Sequence, residues 1–290
     1  MIKFFVRVIC CFIPQKEKRK KTRKYLLETL YRIKYRKNII IPPQGLGDIL
    51  YILLILSGKE EKYTIFLTKK YFGDLCNLFP EVISKKVYMN QLPYYPYALY
   101  KFSDIYKESY QENFYKLFKN VNGGEFNKEK HIPISVNAVK TFNKLNLVSG
   151  KTVLILPEAK SCPNITSDYW LKYAQFIEKS GYEPVFNSNL KFGKYKNIFL
   201  SISDTITFAT LSGNIIGYRS GLCDVLAYFS SARGIYLYPD NPYDYHASYI
   251  KDYMLNKGQK YMEFCSLKTF NQSKNIQEYI IKENEYPFWK

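Results

Sequence analysis

The chain has 290 residues, of which 47% are hydrophobic and 23% charged, so it can bury a large core and is too apolar to be disordered. Its net charge of +18 is concentrated in residues 1–37, which hold 13 of the 43 Lys and Arg but only two of the 25 acidic residues. A nucleic-acid-binding protein more often spreads basic residues over its folded body, so we expect no nucleic-acid partner.

The N-terminal segment joins a short apolar stretch to a basic run. The stretch MIKFFVRVICCFIP (1–14) is too short to span a bilayer, which takes about 20 apolar residues. Most of its basic residues follow the apolar run, whereas those of a signal peptide precede it. The segment therefore fits the surface of an anionic cytoplasmic leaflet, which implies a peripheral location on the inner face of the cytoplasmic membrane. The alternative is a first core helix with a solvated basic face.

The spacing of the cysteines and histidines argues against a structural metal site and against a disulfide framework. None of the six cysteines forms a CxxC pair, and the two histidines have no neighbours at ligand spacing. We therefore expect neither a structural zinc nor a disulfide framework, in keeping with a reducing compartment.

From residue 38 onward, strand-like runs alternate with helical ones, a pattern typical of βαβ units and a parallel sheet. In the first half, the predicted strands lie at 38–43, 62–68 and 85–90. Predicted helices begin at Asp48 and lie at 69–79, in the Tyr-rich region 91–120 and within 134–150, with a loop predicted at 121–133.

The alternation continues in the second half. Predicted strands lie at 151–157, 182–187, 196–201, 214–218 and 234–239. Predicted helices lie at 167–179, where Ser167 is a plausible cap, and at 203–213, 220–232 and 272–283. The chain is thereby divided into four parts: a membrane-surface arm at 1–37, a first Rossmann-like domain at 38–148, a second at 149–271, and a C-terminal helix within 272–290 that packs back on the first domain.

The first loop that could carry chemistry is Gln44-Gly-Leu-Gly-Asp48. It lacks the third glycine of GxGxxG and the GK[ST] ending of a P-loop. Gly45 and Gly47 would let the backbone turn tightly and approach a ligand closely. Asp48 in the following turn could cap the helix, belong to a phosphate loop or act as a catalytic base. On spacing alone, the cap is favoured.

Two more loops follow predicted strands. Lys160 lies a few residues past the strand at 151–157, where its ammonium could meet a phosphate, or it is simply a solvated loop lysine. Arg219, Ser220 and Gly221 stand where a strand turns into a helix, so a guanidinium, a hydroxyl and backbone N–H groups could bind a diphosphate. Alternatively, Ser220 caps that helix and Arg219 pairs with a surface acid.

Three stretches resemble the heptosyltransferase-type bacterial glycosyltransferases. Gly45-Leu-Gly47-Asp48 matches their G-x-G-D loop, residues 156–160 with Trp170 are similar to the opening of their second domain, and IGYRSGLCDVLA (216–227) fits their I-G-x-x-S-G-x-x-[DH]-x-A motif. The chain departs from the family in two places. Cys223-Asp224 stands where a histidine is common, and Arg219 replaces an acid or small polar residue, which leaves the type of sugar open between hexosyl, heptosyl and fucosyl.

The resemblance implies an α/β glycosyltransferase-B fold, with two Rossmann-like domains facing across a cleft. It also implies inverting transfer of a sugar from a nucleotide-diphosphate donor to a bacterial surface glycan or glycolipid, of lipooligosaccharide, lipopolysaccharide or capsule type. No DxD-like triad is present in these loops, so no metal and no cofactor beyond the donor are expected. The alternative is a scaffold of the same fold that binds a glycan or nucleotide without catalysis.

The resemblance also assigns roles to individual residues. Asp48 would be the base, and Asp224 would orient the donor or Arg219, unless it is merely an acid on the helix surface. The remaining assignments are Lys160, Arg219, Ser220 and Gly221 at the donor diphosphate, and Gln44, Gly45 and Gly47 in the acceptor-side loop.

Overall fold

The computed structural model describes residues 2–35, 39–40, 45–57, 60–88, 132–159, 162, 164–239, 262, 266–267 and 275–289. The helical region expected at 91–120, most of the loop at 121–133, Gln44 and Lys160 lie outside these residues. The described chain forms two compact units. The first unit holds residues 2–35, 39–40, 52–57 and 60–88, and the second holds 45–51 and the described residues from 132 onward.

The described helices are α1 (Ile2–Cys11), α2 (Lys16–Tyr35), α3 (Leu46–Leu56), α4 (Phe72–Asn77), α5 (Val136–Lys144), α6 (Ser167–Lys179), α7 (Ile202–Ser212) and α8 (Gly221–Phe229). The described strands are β1 (Ile39–Ile40), β2 (Tyr63–Leu67), β3 (Ile83–Tyr88), β4 (Thr152–Leu156), β5 (Glu183–Asn187), β6 (Lys196–Ile198), β7 (Gly213–Tyr218), β8 (Arg233–Tyr238) and β9 (Ile276–Ile280).

The first unit contains a three-stranded parallel sheet in the order β1-β2-β3. The central strand β2, YTIFL, is buried along its whole length, as expected for a strand covered on both faces. Two further helices, α1 and α2, pack against each other in this unit. None of the helices that the structure describes is both long and apolar enough to cross a membrane.

The second unit contains a six-stranded, all-parallel sheet in the order β6-β5-β4-β7-β8-β9. Counted along the chain, this is the strand order 3-2-1-4-5-6 of a doubly wound nucleotide-binding sheet. The apolar run TVLIL of β4 is fully buried, and β7 and β8 are buried beyond their first residues. The predicted α/β class with parallel sheets is therefore confirmed.

Three helices of the second unit begin at short polar side chains that accept hydrogen bonds from the first turn. Ser135 caps α5, Thr166 caps α6 and Ser201 caps α7. The cap of α6 is one residue earlier than the expected Ser167, because the Thr166 side chain accepts from the Tyr169 N–H. All the helices predicted for residues 134–232 are present.

The boundary between the two units differs from the predicted one at 148. Residues 132–148 belong to the second unit because α5 packs on α7. The Asp204 carboxylate of α7 accepts hydrogen bonds from Ser135 and, at 2.9 Å, from Asn137. Periodicity alone could not reveal this pairing.

The helix predicted at 272–283 is wrong, because residues 276–280 form strand β9. Ile276, Tyr279 and Ile280 have the i, i+3, i+4 spacing of a helix, but the edge of β8 offers unpaired backbone groups. Parallel pairing with β8 satisfies them, with the Gly234 N–H donating to the Asn275 carbonyl at 2.8 Å. Tertiary hydrogen bonding has overridden the local pattern.

The residues after β9 pack within the second unit, against α6. Tyr169 donates to the carbonyl of Glu285 at 3.1 Å, and Tyr173 donates to the carbonyl of Pro287. The guanidinium of Arg233 lies 4.6 Å from the ring centre of Trp289, a cation–π contact. These contacts attach the segment to the second unit, and the expectation that it packs on the first domain stays a prediction.

Candidate active site

The strand order of the second unit marks one place as the natural ligand site. From β4 the chain winds outward through β5 and β6, and from β7 it winds the other way through β8 and β9. Ligands of such sheets bind beyond the carboxyl ends of the strands at this switch point. The loops that follow β4 and β7 are residues 157–166 and 219–220. They are in contact, since the Cys162 Sγ lies 3.5 Å from the carbonyl of Arg219.

Arg219 and Asp224 form a buried ion pair beside this point. The two guanidinium nitrogens Nη1 and Nη2 donate to the two carboxylate oxygens at 2.9 and 2.8 Å. Arg219 is 7% exposed and Asp224 is 3% exposed. Nη1 also donates to the carbonyl of Ser220 at 2.8 Å. Asp224 is therefore not an acid on the helix surface, and the acid partner of Arg219 is buried.

Tyr51 of α3 joins the same cluster. Its hydroxyl donates to the Asp224 carboxylate at 3.3 Å, and its side chain is 2% exposed. Sequence reasoning missed this residue because it lies in the apolar run LGDILYILLIL, where a tyrosine passes for core. Its hydroxyl could have indicated a polar neighbour, because the oxygen of a buried tyrosine needs a hydrogen-bond partner.

Gly47 and Gly221 allow the N-termini of α3 and α8 to touch. A Cβ at Gly221 would come within 2.5 Å of the Gly47 nitrogen, and a Cβ at Gly47 would come within 2.5 Å of the Asp224 carboxylate. Neither glycine, nor Gly45, has positive φ. Close packing thus explains Gly47 and Gly221.

Asp48 lies in the first turn of α3 and is half-buried. Its carboxylate folds back over Gly45, where a Cβ would collide with it. An acid at this position of a helix can interact with the N-terminal backbone N–H groups and with the helix dipole. This geometry is compatible with the helix-cap interpretation of Asp48 and leaves its role as a base to be tested.

The N-terminus of α8 differs from those of α5, α6 and α7. Ser220 occupies the N-cap position with extended backbone, but its side chain makes no capping hydrogen bond. Its Oγ lies 3.6 Å from the Sγ of Cys223. Burial raises the pKa of the Cys223 thiol to about 11 although the Arg219 charge acts in the opposite direction, so this thiol stays protonated at neutral pH.

The structure brings Gly47, Arg219, Ser220, Gly221 and Asp224 together and places Asp48 one residue away from them in the same helix turn. Within the described part of the chain, no group of three His, Cys, Asp or Glu side chains could hold a metal ion.

Known structures with a similar fold are glycosyltransferases. The chain aligns with E. coli ADP-heptose lipopolysaccharide heptosyltransferase II at a TM-score of 0.50 and 14% identity, covering 87% of this chain and 92% of that one. Other matches are an E. coli heptosyltransferase with ADP-2-deoxy-2-fluoro-heptose (TM-score 0.44, 10% identity, 84% and 93% covered) and a family 9 glycosyl transferase from Veillonella parvula (0.46, 12%, 80% and 93%).

Sequence comparison adds nothing to this likeness: no protein-family model matches the chain, and neither does any curated protein. At such low identity the structural similarity concerns the fold alone. It confirms, at that level, the resemblance to heptosyltransferase-type glycosyltransferases that the sequence motifs predict.

Proposed function

We propose that the protein is a glycosyltransferase that moves a sugar from a nucleotide-diphosphate donor to a bacterial surface glycan or glycolipid, of lipooligosaccharide, lipopolysaccharide or capsule type. The observation that carries the proposal is the position of the 157–166 and 219–220 loops at the switch point of a six-stranded parallel sheet. A solved structure of similar fold is an ADP-heptose lipopolysaccharide heptosyltransferase, which supports the same class. The transferred sugar would be of hexosyl, heptosyl or fucosyl type.

The donor diphosphate would bind at the N-terminus of α8. Backbone N–H groups of the first turn and the hydroxyl of Ser220 would donate to phosphate oxygens, and the positive end of the helix dipole would favour the negative charge. Gly221, the first residue of α8, would contribute one of these backbone N–H groups. Lys160 would add a second positive charge from the loop after β4. Asp224 would hold Arg219 in place, so that Arg219 contributes a fixed guanidinium edge beside the diphosphate.

Asp48 would act as the base. In inverting transfer, a carboxylate takes the proton of the acceptor hydroxyl while that oxygen attacks the anomeric carbon, and the nucleotide diphosphate leaves with the bonding electrons. Donors at the α8 N-terminus would stabilise the charge that develops on the leaving group. Because hydrogen bonds and lysine would supply this stabilisation, the reaction needs no metal ion. Gln44, Gly45 and Gly47 would line the acceptor side.

The proposal includes the glycosyltransferase-B arrangement, with an acceptor domain and a donor domain on either side of a cleft. It also includes a cytoplasmic location on the inner face of the cytoplasmic membrane, where a glycolipid acceptor would be reached.

Nucleotide binding is the first test. Thermal unfolding would be followed with UDP, GDP, ADP and CDP, each with and without magnesium. A ligand at 100 times its dissociation constant adds about 2.7 kcal/mol to the free energy of unfolding, which raises the melting temperature of a protein of this size by roughly 5–10 °C. We expect one nucleotide to give such a shift without magnesium, and Ser220→Ala to reduce it. Ser201→Ala, at the cap of α7, is the matched control that should lower the melting temperature but keep the ligand-induced shift.

Turnover is the second test, with the selected nucleotide sugar and a bacterial glycolipid extract as acceptor. Asp48→Asn should keep the nucleotide-induced shift and lose transfer by at least a factor of about 100, the usual scale for removing a general base. Full transfer by Asp48→Asn would refute its role as base. Nucleotide binding with no transfer from any donor would identify the chain as the catalytically inactive scaffold.

A further inference from the structure

Helix α1 presents two apolar faces, and only one of them is covered. Val6 and Cys10, one turn apart, are buried, and α1 packs along α2. Other apolar side chains of this segment face solvent over large fractions of their surface: Phe5 (63%), Val8 (42%), Ile9 (42%) and Phe12 (80%). Their i, i+3, i+4, i+7 spacing places them in one row along the helix, a stripe about 100° wide. We call these four residues the exposed stripe.

A cluster of positive charge follows the exposed stripe directly. Four residues after Phe12 the chain enters α2, whose opening turns carry exposed basic side chains: Lys16, Lys18, Arg19, Lys20 and Lys21. Glu17 is the one exposed acid among them. The Arg19 guanidinium donates to the carbonyl of Pro14 at 3.3 Å, which ties this basic turn to the connection leaving α1.

We propose that the exposed stripe of α1 inserts into the surface of an anionic bilayer while the basic turns of α2 lie on its headgroups. Ten helical residues extend about 15 Å, half the thickness of the hydrocarbon core, so α1 would lie along the surface. Val6 and Cys10 stay buried and α1 stays packed on α2, so insertion does not require the helix to leave the protein. Apolar contact and headgroup attraction together give binding that neither provides alone.

The charge of the arm decides between possible occupants of the stripe. Pairing two copies through the stripes would bring together two segments that each carry 13 basic and two acidic residues, and such like charges repel. An anionic membrane surface neutralises the same charges. The proposal deepens the membrane location within the proposed function but does not depend on catalysis.

Vesicle co-sedimentation of the full-length protein tests it. Vesicles of pure phosphatidylcholine would be compared with vesicles containing about one third phosphatidylglycerol, at low and at physiological salt. We expect strong binding to the anionic vesicles only. Phe5→Ser with Phe12→Ser should weaken it roughly tenfold or more, because two large apolar side chains no longer enter the bilayer. The matched control is Leu190→Ser with Phe199→Ser, exposed apolar residues of the second unit, which should bind like the wild type.

The basic turns are tested separately. Lys20→Gln with Lys21→Gln should weaken binding at low salt, with less effect at high salt, where the attraction is already screened. Lys179→Gln with Lys191→Gln, two exposed lysines of the second unit, is the control. A Phe12→Trp variant should show a blue-shifted emission with anionic vesicles, which reports insertion even if the serine variants fold poorly.

Equal binding of wild type and Phe5/Phe12 variant to anionic vesicles would overturn the proposal, as would an unchanged Phe12→Trp emission. Concentration-dependent dimerisation that the Phe variants abolish would also overturn it, by assigning the stripe to a second copy. The nucleotide-induced thermal shift should be the same in all these variants. A protein that fails to bind vesicles but keeps its nucleotide-induced thermal shift would therefore reject the membrane role of the exposed stripe alone. A protein that binds anionic vesicles but shows no thermal shift with any nucleotide would reject the transferase proposal alone.

Discussion

Replacing Asp224 by asparagine should destabilise the protein far more than breaking a surface ion pair. The substitution keeps the size of the side chain but leaves the Arg219 guanidinium, which is 7% exposed, without its bidentate partner. Removing one member of a buried pair costs about 3–5 kcal/mol, because the other charge stays out of water uncompensated. At about 2–4 °C per kcal/mol, we expect the melting temperature to fall by roughly 6–20 °C.

The same reasoning predicts recovery when the whole cluster is made apolar. Arg219→Met with Asp224→Leu removes both charges, and adding Tyr51→Phe removes the hydroxyl that would otherwise lose its acceptor at 3.3 Å. We expect the triple variant to regain most of the stability lost in Asp224→Asn, since a buried pair replaced by apolar residues is often neutral. It should nonetheless lose nucleotide binding if Arg219 flanks the diphosphate.

Urea and thermal unfolding of the wild type, the single variant and the triple variant check this prediction. Asp168→Asn is the control, because the Asp168–Lys172 pair is exposed and its loss should produce no measurable shift. A single variant within about 1 kcal/mol of the wild type would refute the claim that the pair is buried and mutually dependent. So would a triple variant no more stable than the single one.

Three further predictions concern other parts of the second unit and the arm. Burial raises the pKa of the Asp204 carboxyl, but hydrogen bonds from three polar residues outweigh this effect and lower the pKa below its ordinary value of 3.8. The free energy of unfolding that these hydrogen bonds contribute is therefore lost as the pH falls through the lowered pKa. Urea unfolding at pH 5, 4 and 3 should therefore show a smaller loss for Asp204→Asn than for the wild type; parallel losses would contradict it. Iodoacetamide at pH 7.5 should alkylate the exposed Cys11 well before Cys223, whose thiol is buried with a pKa of about 11, as peptide mass spectrometry can show. Gly221→Ala should cost about 1–3 kcal/mol in thermal unfolding, because the new methyl group meets the Gly47 backbone.

Much of the second unit could be predicted from the sequence because its strands are continuous apolar runs. TVLIL and NIIGY read as strands covered on both faces, and the alternation with helices predicted a parallel sheet, as observed. The strand β9 could not be predicted, because its apolar spacing also fits a helix and the decision lies with the β8 edge. A local pattern decides the element where it fits one type only, and it fails where it fits both a helix and a strand and a distant edge decides.

The candidate site shows the same limit. The resemblance named Asp224 as a residue that orients the donor or Arg219, and the fold shows which: Asp224 pairs with Arg219 across the strand end and the helix turn that separate them. Tyr51 was missed because its partner lies 173 positions away. The packing of Gly47 against Gly221 is likewise invisible without the fold, although both glycines stood out as special positions.

The position of β9 and the aromatic segment after it affects how the protein is made. Synthesis runs from the N-terminus, so β8 and the aromatic face of α6 are complete before residues 275–289 emerge to cover them. During that interval an apolar strand edge, RGIYLY, is available to any neighbouring chain. A nascent chain stalled or cut before residue 275 would lack the strand that pairs with that edge. Chaperone capture and aggregation of such truncated products should therefore depend on the last fifteen described residues rather than on the core that precedes them.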